Sequence, residues 1–445
     1  MDVNALDVNT NDSTQLTLPQ HRFVWSTLED LCTITCATNG HDGTVNGLAA
    51  SIFSQLNHSP DLVQQFQLSH PDFIKSSITA GWIAANGILN GAITEIHELH
   101  QLKRLQIELT TRCNLECSYC YSESGPQSKS TIPIDLIFNI LDEAKELGCT
   151  WIDFTGGEFF IYKEWKRALS HARRAGLIVT IHTNGMALTE DNISYIVNYG
   201  VRSIQVSLDS HLSPVHDKLR GLSGALVKTV KGIRLAKKAG IAVKVCVMAH
   251  QENKLHLTDT VKWVVEELKV PVMLDRIIKA GGELHAGIGL STKDYYELIA
   301  PLINRNVLST KICDNLSLNS FAKIEPACGV AHNFAYITAD REVALCPTMT
   351  SRDRSFFAGP SLDNVSLTFA WLHSDYFNKY RGINCKNVKV CPSANKCGGG
   401  CRSNAYLETG ELSAPDELAC NLNKNRSVSF VNFANRYSRG EYSIP

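Results

Sequence analysis

Residues 108–121 read Glu-Leu-Thr-Thr-Arg-Cys-Asn-Leu-Glu-Cys-Ser-Tyr-Cys-Tyr, a C-x3-C-x2-C arrangement directly after the apolar run 105–109. Three thiolates on one short loop can hold three corners of a [4Fe–4S] cube and leave the fourth iron open. An open iron can bind a small molecule, whereas a closed four-cysteine site carries electrons or holds structure. The alternative is a zinc loop, but zinc sites favour paired C-x2-C knuckles or a nearby histidine. No histidine lies between His100 and His171.

The triplet Cys113, Cys117 and Cys120 resembles that of the radical S-adenosylmethionine (radical SAM) superfamily. The resemblance implies that the open iron takes the amino and carboxylate groups of SAM, and that the reduced cube cleaves the sulfonium to a 5′-deoxyadenosyl radical. It also places Tyr119 near the adenine, because the family usually has an aromatic residue just before its last cysteine. The radical chemistry would belong to the cofactor, while the protein binds and orients it.

Length and composition restrict the class of protein. A chain of 445 residues suits a barrel-sized domain with one or two attachments. Its formal net charge of −1 lacks the excess of positive charge expected of a protein that binds nucleic acid or an anionic membrane. No apolar run approaches roughly 18 residues and the start is polar, so we expect a cytoplasmic protein without a membrane partner. In the reducing cytosol, 15 cysteines favour metal ligation over disulfides.

Between residues 105 and 302 short β-rich runs alternate with longer helical patterns. This repetition predicts an α/β fold with parallel strands and right-handed crossovers. The resemblance makes the six units a partial (β/α)6 barrel, whose chemistry lies at the carboxyl ends of the strands. The predicted strands are 105–109, 151–154, 178–182, 203–208, 243–248 and 272–277, and the predicted helices are 134–147, 164–175, 191–199, 226–239 and 259–268.

The second predicted strand is followed by Gly156, Gly157 and Glu158. This turn is similar to the family's GGE motif, in which backbone and carboxylate reach the SAM amino group. Glycine permits such an approach because it has no Cβ atom. A strand-to-helix turn would select glycine in any case, so the position one unit after the cysteine loop gives the motif its weight.

The fourth predicted strand ends in Ser207 and Asp209, which resemble the family's ribose-binding polar residues. Downstream, Arg220 matches the arginine that pairs with the SAM carboxylate, a partner that suits a guanidinium fork. The alternative for Arg220 is a solvated loop. The turn 183–185, Thr-Asn-Gly, resembles a family turn bordering the pocket and is equally a general turn signal.

The C-terminal third contains seven further cysteines around a predicted hairpin, 334–345, and a Gly- and Pro-bearing stretch. Such a stretch lacks an apolar core of its own, and metal clusters would stabilise it. It resembles a SPASM domain, which holds two auxiliary [4Fe–4S] clusters, although Cys385 lies six residues before Cys391 where the family usually has three. The alternative is a zinc module. The resemblance implies auxiliary cluster I at Cys328, Cys346 and Cys401, with Cys313 or an open iron as the fourth position, and auxiliary cluster II at Cys385, Cys391, Cys397 and Cys420.

The chain is therefore divided into four parts: a disordered tail at 1–18, an N-terminal domain at 19–101, the radical SAM barrel at 102–305 and the SPASM domain at 306–445. The N-terminal domain is loosely similar to winged-helix domains that bind a precursor's leader as an added strand. The alternative is a helical cap over the barrel. Cys32 and Cys36 are interpreted as structural.

These resemblances predict a radical SAM peptide maturase with three [4Fe–4S] clusters and SAM. It would install a carbon–carbon or thioether cross-link in a ribosomally made precursor peptide, and a flavodoxin- or ferredoxin-type protein would reduce it. A sulfatase-maturing enzyme, a dehydrogenase or epimerase, and an iron–sulfur electron carrier or scaffold are the alternatives. Pro347 stands where sulfatase-maturing enzymes usually have an aspartate that serves as the catalytic base. The catalytic base is not identified, and the candidates are His182, Asp153, Lys244, Asp275 and Arg276.

Overall fold

A computed structural model describes residues 21–26, 31–36, 42–96, 100–201, 203–277, 287–304, 329–352 and 354–424. The predicted tail, Cys313, Cys328 and the predicted boundary at 305–306 lie outside the described residues. Within the described ranges, no helix has the length and apolar character needed to cross a membrane.

The N-terminal part folds around its own core, which includes Phe23, Ile34, Phe53 and Ile74. Three strands form an antiparallel meander, and a fourth returns parallel to the first, giving the order β3-β2-β1-β4. The Asn46 side chain accepts a hydrogen bond from the Ala49 amide and begins the first helix. The elements are β1 His21–Ser26, β2 Leu31–Cys36, β3 Asp42–Asn46, α1 Gly47–His58, α2 Val63–Ser69, α3 Pro71–Thr79 and β4 Gly91–Ile96.

Six parallel strands with helices between them form the centre of the molecule and confirm the predicted partial barrel. Each observed strand lies within two residues of its predicted range. The strands are β5 Arg104–Glu108, β6 Trp151–Thr155, β7 Ile178–Thr183, β8 Ser203–Ser207, β9 Ala242–Ala249 and β10 Val272–Arg276.

The helices that cover this sheet also follow the prediction, with two additions, one after β8 and one after β10, that the sequence pattern did not predict. They are α4 Ile134–Glu146, α5 Trp165–Arg174, α6 Glu190–Asn198, the additional α7 Ser213–Arg220, α8 Ala225–Lys238, α9 Leu257–Trp263 and the additional α10 Thr292–Asn304. Helix α9 continues as a π-helix at Val264–Leu268.

Side chains alternate across the central strands and give the sheet two different faces. Ile107, Phe154, Ile181 and Ile204 are neighbours in the register and are fully buried in the apolar core. The next residues along β7 and β8, His182 and Gln205, are paired with each other on the opposite face. That polar face lines the interior of the barrel, which we call the lumen.

The cysteine-rich C-terminal part shares this sheet. The predicted hairpin forms as β11 Phe334–Ile337 and β12 Val343–Ala344, and β11 pairs in parallel with β5. Glu108, fully buried at the end of β5, accepts hydrogen bonds from the Ala339 amide at 2.9 Å and from both terminal nitrogens of Arg352. The hairpin is thus fixed to the strand that leads into the cysteine loop.

Short helices complete the C-terminal part, and their apolar side chains join the core of the barrel. Trp371, for example, is fully buried and donates from its indole nitrogen to the His100 carbonyl at 2.7 Å. The helices are α11 Leu367–His373, α12 Asp375–Arg381, α13 Ala394–Cys397, α14 Arg402–Thr409 and α15 Glu417–Lys424.

Candidate functional site

The first cysteine triplet lies on the loop that follows β5. The Cys113 amide donates to the Gly125 carbonyl at 3.1 Å, and the Cys120 amide donates to the Cys117 carbonyl at 3.2 Å. Cys113 is buried, whereas Cys117 and Cys120 are partly exposed. Backbone hydrogen bonds therefore set the loop's shape and leave the three thiols free of disulfides.

The thiols of the triplet lie close enough to affect one another. Burial raises the pKa of the Cys113 thiol to about 12, and the neighbouring Cys117 and Cys120 add to this rise. Three neighbouring thiolates are stable only when a positively charged metal centre binds them. Among the described residues, no three His, Cys, Asp or Glu side chains converge as ligands of a single metal ion. Because each thiolate of a four-iron cluster binds a different iron, the donor set of this loop fits such a cluster.

The Gly-Gly-Glu turn after β6 packs directly on the backbone of the cysteine loop. A Cβ atom at Gly156 would lie 2.6 Å from the Thr110 carbonyl oxygen, and one at Gly157 would lie 2.4 Å from that of Arg112. The Gly157 amide donates to the Thr110 carbonyl at 2.7 Å. Only glycine allows this approach, so both residues are required by the contact with the loop.

Glu158 is almost completely buried beneath the turn. Its carboxylate accepts hydrogen bonds from the Thr183 hydroxyl at 2.7 Å and from the amides of Asn184 at 2.8 Å and Phe160 at 3.2 Å. Burial raises the pKa of Glu158 against the opposing effect of these donors. The carboxylate thus holds the 183–185 turn, and Asn184 in turn donates to the Asn114 side chain at 2.8 Å.

A buried ionic cluster lies beside the cysteine loop. The Tyr119 hydroxyl donates to Asp209 Oδ2 at 2.6 Å, and Arg220 Nε lies 2.9 Å from the same oxygen. Arg220 Nη1 also donates to Cys117 Sγ at 3.7 Å. Burial is the largest single effect and would raise the pKa of Asp209, but the Arg220 guanidinium and the other surrounding groups together outweigh it and lower this pKa. The structure therefore brings four predicted site residues together, and Arg220 is a buried helix residue, which contradicts the alternative of a solvated loop.

Ser207, the other predicted ribose-binding residue, is partly exposed at the end of β8. Asp209, two residues on, is fully buried and bonded to Tyr119. Ser207 is thus the more exposed of the two residues, whereas Asp209 retains one buried oxygen, Oδ1, without a hydrogen-bond partner among the described residues.

The C-terminal cysteines are not joined in disulfides wherever the structure describes them. Asp416 connects two of their segments: its carboxylate accepts from the Cys401 amide at 2.8 Å, and its carbonyl accepts from the Cys420 amide at 2.9 Å. The three glycines 398–400 all have positive φ angles, so this turn depends on glycine. A cavity adjoins the segment and is lined by residues next in sequence to four predicted ligands: Leu345, Asn384, Gly398, Gly400 and Arg402.

Residues 107–264 match the sequence profile of the radical SAM superfamily. The matched segment begins in β5 and contains the cysteine triplet, the Gly-Gly-Glu turn and Arg220. The chain contains a radical SAM domain. This domain implies SAM and a [4Fe–4S] cluster as cofactors.

Relatives extend the likeness beyond the radical SAM domain. The PqqA peptide cyclase of Granulibacter bethesdensis is 26% identical over 336 residues, which cover 73% of this chain and 88% of the relative. The antilisterial bacteriocin subtilosin biosynthesis protein AlbA of Bacillus subtilis is 33% identical over 153 residues, 34% of each chain. The chain is thus similar to one relative over most of its length and to the other over about a third.

Solved structures show the same fold. Streptococcus suis SuiB bound to precursor peptide SuiA superposes with a TM-score of 0.67 at 14% identity, covering 90% of this chain and 98% of SuiB. The protein anSMEcpe with bound AdoMet and Cp18Cys peptide gives a TM-score of 0.59 at 17% identity, covering 75% and 99%. At these identities, the likeness concerns the fold alone.

The geometry around the radical SAM domain's cysteine loop fits these cofactors. Arg220 Nη2 and Asp209 Oδ1 are buried polar atoms without hydrogen-bond partners among the described residues. Buried groups of this kind are normally satisfied, so a polar ligand is expected beside them. The glycine turn packs on the backbone of the same loop and fixes its position.

Sequence reasoning missed two histidines in this site. The His250 ring stacks on Tyr119 with a centroid separation of 5.9 Å, and His216 Nδ1 accepts from the Asp209 amide at 3.2 Å. His250 directly follows β9. The rule that chemistry lies at the carboxyl ends of strands would have found it.

The candidate bases have different surroundings. Asp153 accepts hydrogen bonds from Arg104 Nε and Nη2 and lies 3.4 Å from His182 Nε2 in the lumen. Arg276 pairs with Glu408 of α14 at 2.8 Å, which gives it a structural role between barrel and C-terminal part. Asp275 accepts from the adjacent Arg276 amide, and burial raises the pKa of its carboxyl.

Proposed function

We propose that the chain is a radical SAM peptide maturase that abstracts a side-chain hydrogen from a ribosomally made precursor and installs a carbon–carbon or thioether cross-link. The similarity to the relative named PqqA peptide cyclase carries this proposal, since it covers 73% of the chain and is not confined to the barrel. The fold shared with SuiB over 90% of the chain supports it. We expect the enzyme to act in the cytoplasm.

Cys113, Cys117 and Cys120 would hold the SAM-binding [4Fe–4S] cluster. When bound, that cluster and SAM supply a 5′-deoxyadenosyl radical able to abstract hydrogen from unactivated carbon. The residues proposed to surround SAM are Tyr119, Gly156, Gly157, Glu158, Ser207, Asp209 and Arg220.

The chain's own contacts divide these residues by role. Glu158 already accepts three hydrogen bonds from protein donors and so shapes the pocket through the 183–185 turn. Ser207 is partly exposed, and Arg220 Nη2 has free donor capacity. We therefore expect the glycine backbone, Ser207 and Arg220 to make the direct contacts.

The C-terminal cysteines would hold two auxiliary [4Fe–4S] clusters. We assign auxiliary cluster I to Cys328, Cys346 and Cys401, completed by Cys313 or open to substrate. Because a cross-link removes two hydrogens from the peptide, one leaves as an atom to the adenosyl group and the other as a proton and an electron. An auxiliary cluster would accept that electron, and a flavodoxin- or ferredoxin-type protein would reduce the first cluster. Auxiliary cluster II would have Cys385, Cys391, Cys397 and Cys420.

The N-terminal sheet would bind the precursor's leader. Its order leaves β3 and β4 as the edge strands among the described residues. An exposed edge offers unpaired backbone groups to which a peptide can add as a strand. Deleting residues 1–96 retains His100, the partner of Trp371. This variant should release 5′-deoxyadenosine without peptide and lose precursor binding; unchanged peptide affinity would contradict the assignment.

Mass spectrometry of the precursor distinguishes the candidate reactions. The anaerobically reconstituted enzyme is incubated with SAM, reductant and the peptide encoded beside the gene. The product should be lighter by two hydrogens, and its tandem mass spectrum should lack backbone fragments between the two cross-linked residues. A formylglycine product from a sulfatase peptide would indicate a sulfatase-maturing enzyme. The same mass loss with a complete series of backbone fragments would indicate a dehydrogenase. Incorporation of deuterium from the solvent without loss of the two hydrogens would indicate an epimerase. Redox activity without SAM turnover would indicate a carrier.

A further inference from the structure

The C-terminal end of α7 is attached to the cysteine loop by backbone hydrogen bonds on both sides of Cys117. The Glu116 amide donates to the Arg220 carbonyl at 3.2 Å, and the Ser118 amide donates to the Leu219 carbonyl at 3.3 Å. Gly221 ends the helix with a φ angle of 67°, and a Cβ atom there would lie 2.8 Å from the Glu116 carbonyl oxygen. The position of this helix end relative to Cys117 is therefore fixed by main-chain contacts.

From this position the Arg220 side chain reaches back to the sulfur. Nη1 donates to Cys117 Sγ at 3.7 Å, within the range for a hydrogen bond to sulfur. The guanidinium carbon also lies 5.7 Å from the centre of the Tyr119 ring. The side chain is 8% exposed, so water screens its charge weakly. A cation is thus held against one predicted cluster ligand.

Asp209 balances that cation on its other side. Its Oδ2 lies 2.9 Å from Arg220 Nε, and Asp209 is fully buried. The Tyr119 hydroxyl bonds the same oxygen at 2.6 Å and orients the carboxylate. Among the described residues, no hydrogen bond joins Asp209 to a cysteine sulfur, so its charge acts on Cys117 without a contact and opposes that of Arg220.

We propose that Arg220 is a positioning residue that sets the reduction potential of the cluster held by Cys113, Cys117 and Cys120, and that Asp209 limits its effect. Reduction adds negative charge to an iron–sulfur cluster, and hydrogen bonds and nearby charges on its sulfurs set the potential. The guanidinium stabilises the reduced cluster and raises the potential, while the carboxylate lowers it. This inference rests on the proposed function only in that the triplet holds the cluster.

This role differs from the pairing of Arg220 with the SAM carboxylate that the sequence resemblance implies. A residue that acts only on the SAM carboxylate has no effect on the cluster before SAM binds. A residue that acts on the Cys117 sulfur changes the potential in the absence of SAM. The potential of the SAM-free protein therefore separates the two roles.

The test is a potentiometric titration of the SAM-free, reconstituted full chain, followed by electron paramagnetic resonance. The Cys113→Ala/Cys117→Ala/Cys120→Ala variant should lose only the signal of the cluster held by the triplet. The signal absent from this variant is therefore the one to follow, and signals of the auxiliary clusters are excluded. Arg220→Met should shift the potential downward and Asp209→Asn should shift it upward, each by a tenfold change in the reduction equilibrium, about 59 mV for one electron.

Two further variants control for charge and folding. Arg112 is exposed on the same loop, and Arg112→Met should leave the potential unchanged. Removing one partner of a buried pair is strongly destabilising, so Arg220→Gln/Asp209→Asn removes both charges together. The reduction potential of this double variant should also be lower than that of the wild type, because Arg220 donates to the Cys117 sulfur and Asp209 does not.

Shifts of opposite sign in the single variants, or a downward shift of the double variant where a single one does not fold, support the proposal. Every other pattern overturns it, including equal shifts or none. Absence of any signal that depends on the triplet would overturn both this inference and the proposed function. A triplet signal without the predicted shifts would overturn this inference alone.

Discussion

Glu158 Oε2 accepts a 2.8 Å hydrogen bond from the backbone amide of Asn184 and so joins the turn after β6 to the turn after β7. The same carboxylate binds the Thr183 hydroxyl, and the Asn184 side chain continues to Asn114 on the cysteine loop. The side chains of Glu158 and Asn184 thereby hold the ends of three consecutive strands in one arrangement.

Replacing Glu158 should destabilise this arrangement. Glu158→Ala leaves the Asn184 amide and the Thr183 hydroxyl proton buried without an acceptor, at a cost of about 2–3 kcal/mol in the free energy of unfolding. Urea unfolding of the metal-free protein measures this loss. The matched control is Glu164→Ala, which removes an exposed pair with Arg167 and should cost less than about 0.5 kcal/mol. Equal effects of the two substitutions would contradict the assignment.

The approach of the glycine turn to the cysteine loop predicts a sharp difference between two glycines. Gly157→Ala places a methyl group 2.4 Å from the Arg112 carbonyl oxygen, whereas a Cβ atom at Gly125 meets nothing within 4 Å. Gly157→Ala should cost about 1–3 kcal/mol by overpacking and lower iron retention by the triplet. Gly125→Ala is the control and should retain both stability and iron. Normal iron binding by Gly157→Ala would show that the loop tolerates displacement of the turn.

His216 makes the stability of the SAM-site scaffold dependent on pH. Burial, followed by the Arg220 charge, lowers the pKa of His216 from 6.5 to about 4. Its Nδ1 accepts from the Asp209 amide and must be unprotonated to do so. The unfolded chain therefore binds more protons between pH 4 and 6.5, and stability falls by up to about 3 kcal/mol as pH decreases through that window.

Urea unfolding of the metal-free protein across this pH range measures the dependence. His216→Gln keeps an acceptor and cannot titrate, so its stability should vary less with pH than that of the wild type. An unchanged slope in His216→Gln would assign the pH dependence to other groups.

The Asp416 carboxylate should be required for both auxiliary clusters, since it accepts from the amides of Cys401 and of Ala419, which is next to Cys420. Three cubes correspond to about twelve irons per chain, and Asp416→Ala should leave about four. Glu411→Ala is the control, because among the described residues the Glu411 side chain contacts Lys386 and Ser413 at the exposed surface. About four irons in the wild type itself would refute the auxiliary clusters.

Much of the barrel was predictable because each strand is a short apolar run followed by a helical pattern. The helix α7 was not, since its residues are mainly polar and it depends on packing of Leu219 and Arg220 against the cysteine loop. The pairing of β11 with β5 was equally inaccessible, because it joins segments about 230 residues apart. Local patterns do not encode such contacts.

Residue types in the site were predictable from motifs, but their partners were not. Cysteine spacing identified the triplet, and strand ends identified Ser207 and Asp209. The sequence gives no indication that Asp209 faces Tyr119 and Arg220, because that depends on how three separate segments pack. The orientation of Arg220 toward Cys117 could not be predicted for the same reason, since it depends on how α7 packs against the cysteine loop.

The most direct test of the central claim is simultaneous measurement of 5′-deoxyadenosine and modified precursor peptide in one anaerobic reaction. The wild-type protein should form both in proportion, with the peptide lighter by two hydrogens, and Cys117→Ala should form neither. A peptide product from Cys117→Ala, or a modified peptide without 5′-deoxyadenosine from the wild type, would contradict radical SAM chemistry at this cysteine triplet.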